Sequence, residues 1–346
     1  MCTRFPYWDI SYLVAVIFTL GSCVWVINAF FVWLPLVKPG TEFHNEILVA
    51  GGVSAFIGAT VFEIGSVLLV IEAVNENREG CFGWALERVV SRDDDDGEKE
   101  EEEGKVRVRP DTSGCRHHHS NKKNVVDKPS VAEHSSAPYT SGSSSTPSPS
   151  SSPSSSPRTT QKQGDPDRAW QWFPSRHDLT HHYLHEPGFL ASLAQLLGAT
   201  VFWISGVTAL PGINDKLSHR RQGDGLLDGI YWTPQIIGGV GFLISGALFM
   251  LETQRAWWKP AWGNLGWHVG LWNLVGAVGF TLCGALGIAA TAASGNNNSG
   301  SSSSSSSGDS GVEYQASLAT FWGSWAFLLA SVVQWYESLD KHPVET

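Results

Sequence analysis

Six stretches of more than twenty largely apolar residues, at 10–34, 47–74, 189–210, 229–251, 265–291 and 316–337, limit what this chain can fold into. A bilayer core about 30 Å thick is crossed by ~20 residues of helix. Hydrocarbon contains no water to satisfy a bare backbone, so only helices and closed barrels span it. None of the six runs has the alternation of a barrel strand, which leaves helix. The first run is too long for a signal-peptide core, and no small-residue cleavage site follows it. Phe31–Val32–Trp33–Leu34–Pro35 reads instead as its exit through the interface. The expected fold is an all-α polytopic bundle of about six transmembrane helices.

The overall composition hides this pattern. At 42% hydrophobic and 16% charged residues the chain resembles an ordinary soluble protein. The average mixes two materials. Residues 93–168 are dominated by Ser, Pro, Asp, Glu, Lys and Gly, whereas the rest is dense in Leu, Val, Ile, Phe, Gly and Trp. The polar stretch has too little apolar area to offset chain entropy, so disorder is expected there. It carries an acidic run from Asp93 to Glu103 and a Ser/Pro tract. Thr146–Pro147, Ser148–Pro149, Ser152–Pro153 and Ser156–Pro157 have the form of proline-directed phosphorylation sites. The division is a first hairpin at 1–75, a cytosolic loop at 76–168, an interfacial amphipathic segment at 169–188, in which Trp170 to Tyr183 mixes aromatics and charges at the spacing of an in-plane helix, and two further hairpins at 189–340. A Ser-rich non-cytosolic loop occupies 292–315.

Aligning the spans on one Phe exposes a repeat. Phe18, Phe62, Phe202, Phe242, Phe280 and Phe327 are each followed, three and four residues on, by small residues. Five spans also carry small pairs four and three residues before it: Gly58–Ala59, Gly198–Ala199, Gly238–Gly239, Gly276–Ala277 and Gly323–Ser324. These positions share one helical face, and small residues permit close helix approach in lipid. The even-numbered spans add a glutamate ten residues after the Phe: Glu72, Glu252 and Glu337. The unit is a helical hairpin whose second helix ends in Glu, repeated three times.

The second helix of each unit, Phe-x-x-small-small-x5-Glu at 62–72, 242–252 and 327–337, resembles the YrhK-like two-helix membrane module. The C-terminal half is similar to an uncharacterised family of fungal integral membrane proteins, through 198–212, 264–287 and 318–339. The resemblance implies the helical-hairpin fold and brings no activity or catalytic residue with it.

Six spans place both termini, the 75–188 loop and the 252–264 loop on one side. Of 23 Lys and Arg, only Lys38, Lys216, Arg220 and Arg221 fall on the other side. The positive-inside tendency then puts both termini in the cytosol, and it survives when most of the long loop is discounted. The one N-x-S/T sequon, Asn297–Asn298–Ser299, falls on the opposite side, as a glycosylation acceptor requires.

Chemistry-bearing residues are few. Glu63 is the one acidic residue near the middle of a span. It reads either as a proton or cation relay or as a neutral carboxyl bonded to a neighbouring Ser, Thr or carbonyl. Glu72, Glu252 and Glu337 are expected to bond backbone or pair with interfacial basic residues. Asn28, Gln195, Gln235, His268 and Asn273 are expected to make interhelical hydrogen bonds. His177, His181 and His185 recur at i, i+4, i+8, a spacing that can share a metal ion, but no Cys or carboxylate completes a site. The five cysteines have no ligand-like spacing, although Cys81 is placed for palmitoylation. No HExxH, GxSxG or Walker pattern is present, so neither an enzyme nor a cofactor is expected. The expected partners are the lipid bilayer and a cytosolic protein meeting 93–168, with no nucleic acid. The leading expectation is a structural or regulatory membrane component; the alternative is a small-solute or proton transporter using Glu63.

Overall fold

The computed structural model describes residues 8–75, 82, 170–219, 228–254, 256–296 and 306–340. Among these there is no β-strand, and six helices are long and apolar enough to cross a membrane. The elements are α1 (Ile10–Val37), α2 (Gly52–Asn75), α3 (Arg176–His181), α4 (Pro187–Thr208), α5 (Pro211–His219), α6 (Thr233–Thr253), α7 (Leu265–Asn296) and α8 (Ser306–Asp340). All except the short α3 and α5 are spans. The expected disorder of 93–168, the acceptor Asn297 and the residue Cys81 lie outside the described residues.

Local chemistry explains the helix ends. The Asp9 carboxylate accepts from the Ser11 amide at 3.0 Å and caps α1. Pro187 opens α4 where its missing N–H costs nothing. α2 and α6 are each entered through a π-helical turn, Glu46–Gly51 and Asp228–Trp232. Asn28 on α1 stabilises the first of these by donating to the Gly51 carbonyl at 2.7 Å and to Ser54 at 3.0 Å. Both α7 and α8 run further than the sequence indicates. α7 continues to Asn296 and α8 begins at Ser306, so much of the 292–315 connection is helical.

The six spans form a ring in chain order. α1 packs on α2, α2 on α4, α4 on α6, α6 on α7, α7 on α8, and α8 returns to α1. The last contact brings the Ser22 and Ser331 hydroxyls within 3.5 Å. Burial is inverted relative to a soluble protein. Leu20, Ile64, Leu197, Ile237 and Ile244 are exposed by half or more, while Ser22, Ser66, Ser192, Ser245 and Ser324 are buried. Lipid covers the outer apolar faces. Inside, Ser66 donates to the Phe62 carbonyl at 2.8 Å and Ser324 to the Thr320 carbonyl at 2.7 Å, satisfying hydroxyls within their own helices.

The small residues work as notches. A Cβ at Gly21 would meet the Phe62 ring at 2.6 Å, and one at Gly238 would meet Phe202 at 2.6 Å. At Gly276 it would meet Phe327 at 2.8 Å. Elsewhere glycines let backbones touch: a Cβ on Gly241 would lie 2.6 Å from the Gly198 Cα, and one on Gly279 would lie 2.9 Å from the Gly323 Cα. Exposed Trp257, Trp258 and Trp262 lie between α6 and α7, on the side holding both ends of the bundle, where aromatics suit the headgroup level.

Candidate functional site

The six Phe that align in the sequence meet at the centre of the ring. Each is exposed by 8% or less. Their ring centroids connect through Phe18–Phe62 at 5.4 Å, Phe62–Phe327 at 5.6 Å and Phe280–Phe327 at 5.4 Å. Phe202 completes the chain, 5.7 Å from both Phe280 and Phe242. Trp25 adds a seventh ring, 4.9 Å from Phe280 and 5.6 Å from Phe202. This aromatic plug fills the axis of the ring at mid-depth.

A vestibule lies on either side of the plug. The terminus-side vestibule has a volume of about 870 Å³ and is floored by Phe18, Phe62 and Phe327. The far-side vestibule, about 540 Å³, ends on Trp25, Phe202 and Phe280. The wall of the larger one repeats three times. Seven residues before the Phe of each odd-numbered span stand Ser11, Gln195 and Asn273, all of which line it. Ten residues after the Phe of each even-numbered span stand Glu72, Glu252 and Glu337, which also line it.

The three glutamates have a common placement. The Ser11 hydroxyl, in the first turn of α1, donates to Glu72. A Cβ at Gly188, in the first turn of α4, would lie 2.5 Å from Glu252 Oε1. One at Gly266, in the first turn of α7, would lie 3.7 Å from Glu337 Oε1. In every hairpin the carboxylate that ends the second helix thus returns to the N-terminal turn of the first. Unsatisfied amides and the helix dipole make that end attractive to negative charge. The sequence places these carboxylates at helix ends but does not reveal that they converge on one cavity.

Glu63 lines neither vestibule. It lies at the α2–α4 contact, where Thr200 donates to its Oε1 at 2.9 Å. One turn away Trp203 donates to Thr60 at 3.0 Å across the same contact. The geometry matches a carboxyl bonded to a neighbouring hydroxyl and does not place Glu63 on an axial path. Of the amides expected to bridge helices, Asn28 does so. Gln235 reaches the Phe280 carbonyl at 3.4 Å, and His268 meets the Trp262 carbonyl at 2.9 Å. Gln195 and Asn273 instead face the terminus-side vestibule and make no side-chain hydrogen bond among the described residues.

The segment before α4 departs from the expected in-plane helix. Only Arg176–His181 is helical, followed by a 3₁₀ turn at Tyr183–His185. His177 and His181 stack at 4.2 Å, but the helix stops there and His185 falls in the separate turn. Among the described residues no three His, Cys, Asp or Glu are grouped to hold a metal. Trp170, Trp172 and Tyr183 are instead committed to contacts within the bundle, while Phe173 is 86% exposed. Asn75 donates to the Gln171 carbonyl and accepts from its amide, both at 2.8 Å. The Tyr183 hydroxyl donates to the Val74 carbonyl at 3.0 Å. Trp170 stacks with Phe82 and Trp172 at 5.5 and 5.7 Å, and reaches the vestibule wall.

No protein-family model matches the chain, and no curated protein or solved structure matches it. The likeness to the YrhK-like module therefore rests on the quoted residues alone. Six apolar helices make this an integral, multi-pass membrane protein.

Proposed function

We propose that this chain is a regulatory or structural membrane component whose bundle is closed to through-flow, with both termini and the 93–168 loop in the cytosol. The observation that carries the reading is the aromatic plug. Six repeated Phe and Trp25 occupy the axis at the depth where a permeation path would run. The separation of Glu63 from both vestibules supports it against a relay through that residue. The acidic Ser/Pro loop is the partner-facing part, since an extended polar segment can be read and switched by phosphorylation. The three hairpins are proposed as repeats of the YrhK-like kind.

Ion and proton flux in proteoliposomes tests the closed-bundle reading. Wild type and Glu63→Gln are both expected to match protein-free vesicles. Flux in wild type that Glu63→Gln abolishes would overturn the reading in favour of a transporter. Deleting 93–168 is expected to leave the bundle folded and to remove its co-purifying cytosolic partner.

A further inference from the structure

We propose that the turn between α6 and α7 binds the headgroup of an anionic phospholipid. Residues 254–264 (QRAWWKPAWGN) connect two membrane spans, so the spans themselves hold the turn at the bilayer surface. The segment contains three Trp, and its only charged residues are Arg255 and Lys259. In a chain of net charge -10 this is a local reversal of sign. A short basic segment at the membrane surface is attracted to anionic headgroups.

A second observation shows that the turn is built to present these side chains. Trp257 and Trp258 are 77% and 70% exposed, and Lys259 is exposed beside them. The backbone beneath them is braced from within the protein. The Lys259 amide donates to the Ala256 carbonyl at 2.9 Å and closes the turn. With its amide nitrogen facing the turn, Gln254 donates to the Ala256 and Trp257 carbonyls at 3.3 and 3.0 Å and accepts from the Trp267 indole at 2.6 Å. Trp267 is buried, and Trp262 packs on it with ring centroids 4.5 Å apart. The His268 ring bonds the Trp262 carbonyl at 2.9 Å. Trp257 and Trp258, 5.7 Å apart, are left outside this frame. An indole offers about 150–250 Å² of mostly apolar surface and one donor. The glycerol-ester level of a leaflet satisfies both. At that level the Lys259 ammonium meets lipid phosphate in a charge-assisted hydrogen bond, with its stem along the apolar surface. A free anion has no acyl chains to cover the two indoles, so the occupant is a lipid of the same leaflet. The site is separate from the plug and is the same whichever leaflet holds the turn.

The probes are dioleoylphosphatidylglycerol and dioleoylphosphatidylcholine, which share acyl chains and differ in net charge. Native mass spectrometry of the full chain, titrated in micelles with each lipid, reads the bound adducts. Phosphatidylglycerol should bind about fivefold more tightly, the effect of one Lys near an anionic headgroup. This comparison uses wild type alone and is independent of any variant's folding. Lys259→Gln should lower phosphatidylglycerol binding about fivefold and leave phosphatidylcholine unchanged. The double substitution Trp257→Leu/Trp258→Leu should weaken both lipids. Lys216→Gln, on α5 at the other side of the bundle, should bind as wild type. Equal binding of the two lipids, a preference that survives Lys259→Gln, or an equal loss in Lys216→Gln would each overturn the proposal. Displacement of phosphatidylglycerol by inorganic phosphate at the same concentration would overturn it too, because the indoles and acyl chains would then contribute nothing.

Discussion

Phe280 is 2% exposed and touches Phe202, Phe327 and Trp25, so its ring has no space to move into when the site is truncated. Phe280→Ala is expected to cost about 3–5 kcal/mol, the range for a large buried aromatic. Steric trapping or denaturant unfolding in micelles would measure it, with Leu20→Ala on the lipid face as a control that costs far less. Overfilling should also destabilise. The Gly241 position lies against the Gly198 backbone, which cannot rotate away as a side chain can. Gly241→Ala is therefore expected to lose about 1–3 kcal/mol, read in the same unfolding experiment. The alignment of Phe with flanking small residues was legible in the sequence because both fall on one helical face. That the six faces converge on one plug was not, since a face carries no information about its partner. Trp25 was missed for a related reason: it lies outside the aligned positions and occurs in one unit only. Gln195 and Asn273 could have been found by extending the alignment to seven residues before the Phe, where Ser11 completes the set.

At the level of elements, the hairpin is held at its open end by the return of the Glu to its partner helix. Glu337→Gln removes the charge but keeps the shape, and is expected to lose about 0.3–1 kcal/mol of dipole interaction, seen as a melting shift of a few degrees at most. The segment before α4 is tied to α2 by Tyr183 and Asn75. Tyr183→Phe should cost about 1 kcal/mol and speed amide exchange or proteolysis around 170–186 while leaving the spans protected. The number of spans was readable from length and hydrophobicity because lipid imposes both, whereas the extensions of α7 to Asn296 and of α8 back to Ser306 lie in Ser- and Gly-rich sequence with no apolar signal. The spacing of aromatics and charges from Trp170 to Tyr183 suits an in-plane helix, yet 170–175 is not helical. Its Trp170 and Trp172 stack on Phe82, and its backbone bonds Asn75, so tertiary contacts override the local pattern. The π-helical entrances to α2 and α6 have no comparable signal in the sequence.

The whole molecule is a ring of three hairpins, closed by α8 on α1, with lipid outside and aromatic, small and polar residues within. Its symmetry of placement puts three carboxylates around one vestibule, and among the described residues the other has no such set. The orientation can be checked apart from the fold. A glycosidase-sensitive mass shift that disappears in Asn297→Gln is expected when the chain is expressed in a glycosylating host, and cleavage of the same loop by a protease confined to the cytosol would reverse the topology. The axial plug remains the feature on which the closed-bundle reading stands. Its most direct test is proton flux into vesicles, comparing wild type with the double substitution Phe280→Ala/Phe327→Ala. The account expects wild type to be as tight as protein-free vesicles and the double variant, if it stays folded by size exclusion, to leak. Flux through wild type that the double substitution leaves unchanged would contradict it, because protons would then be crossing without regard to the plug.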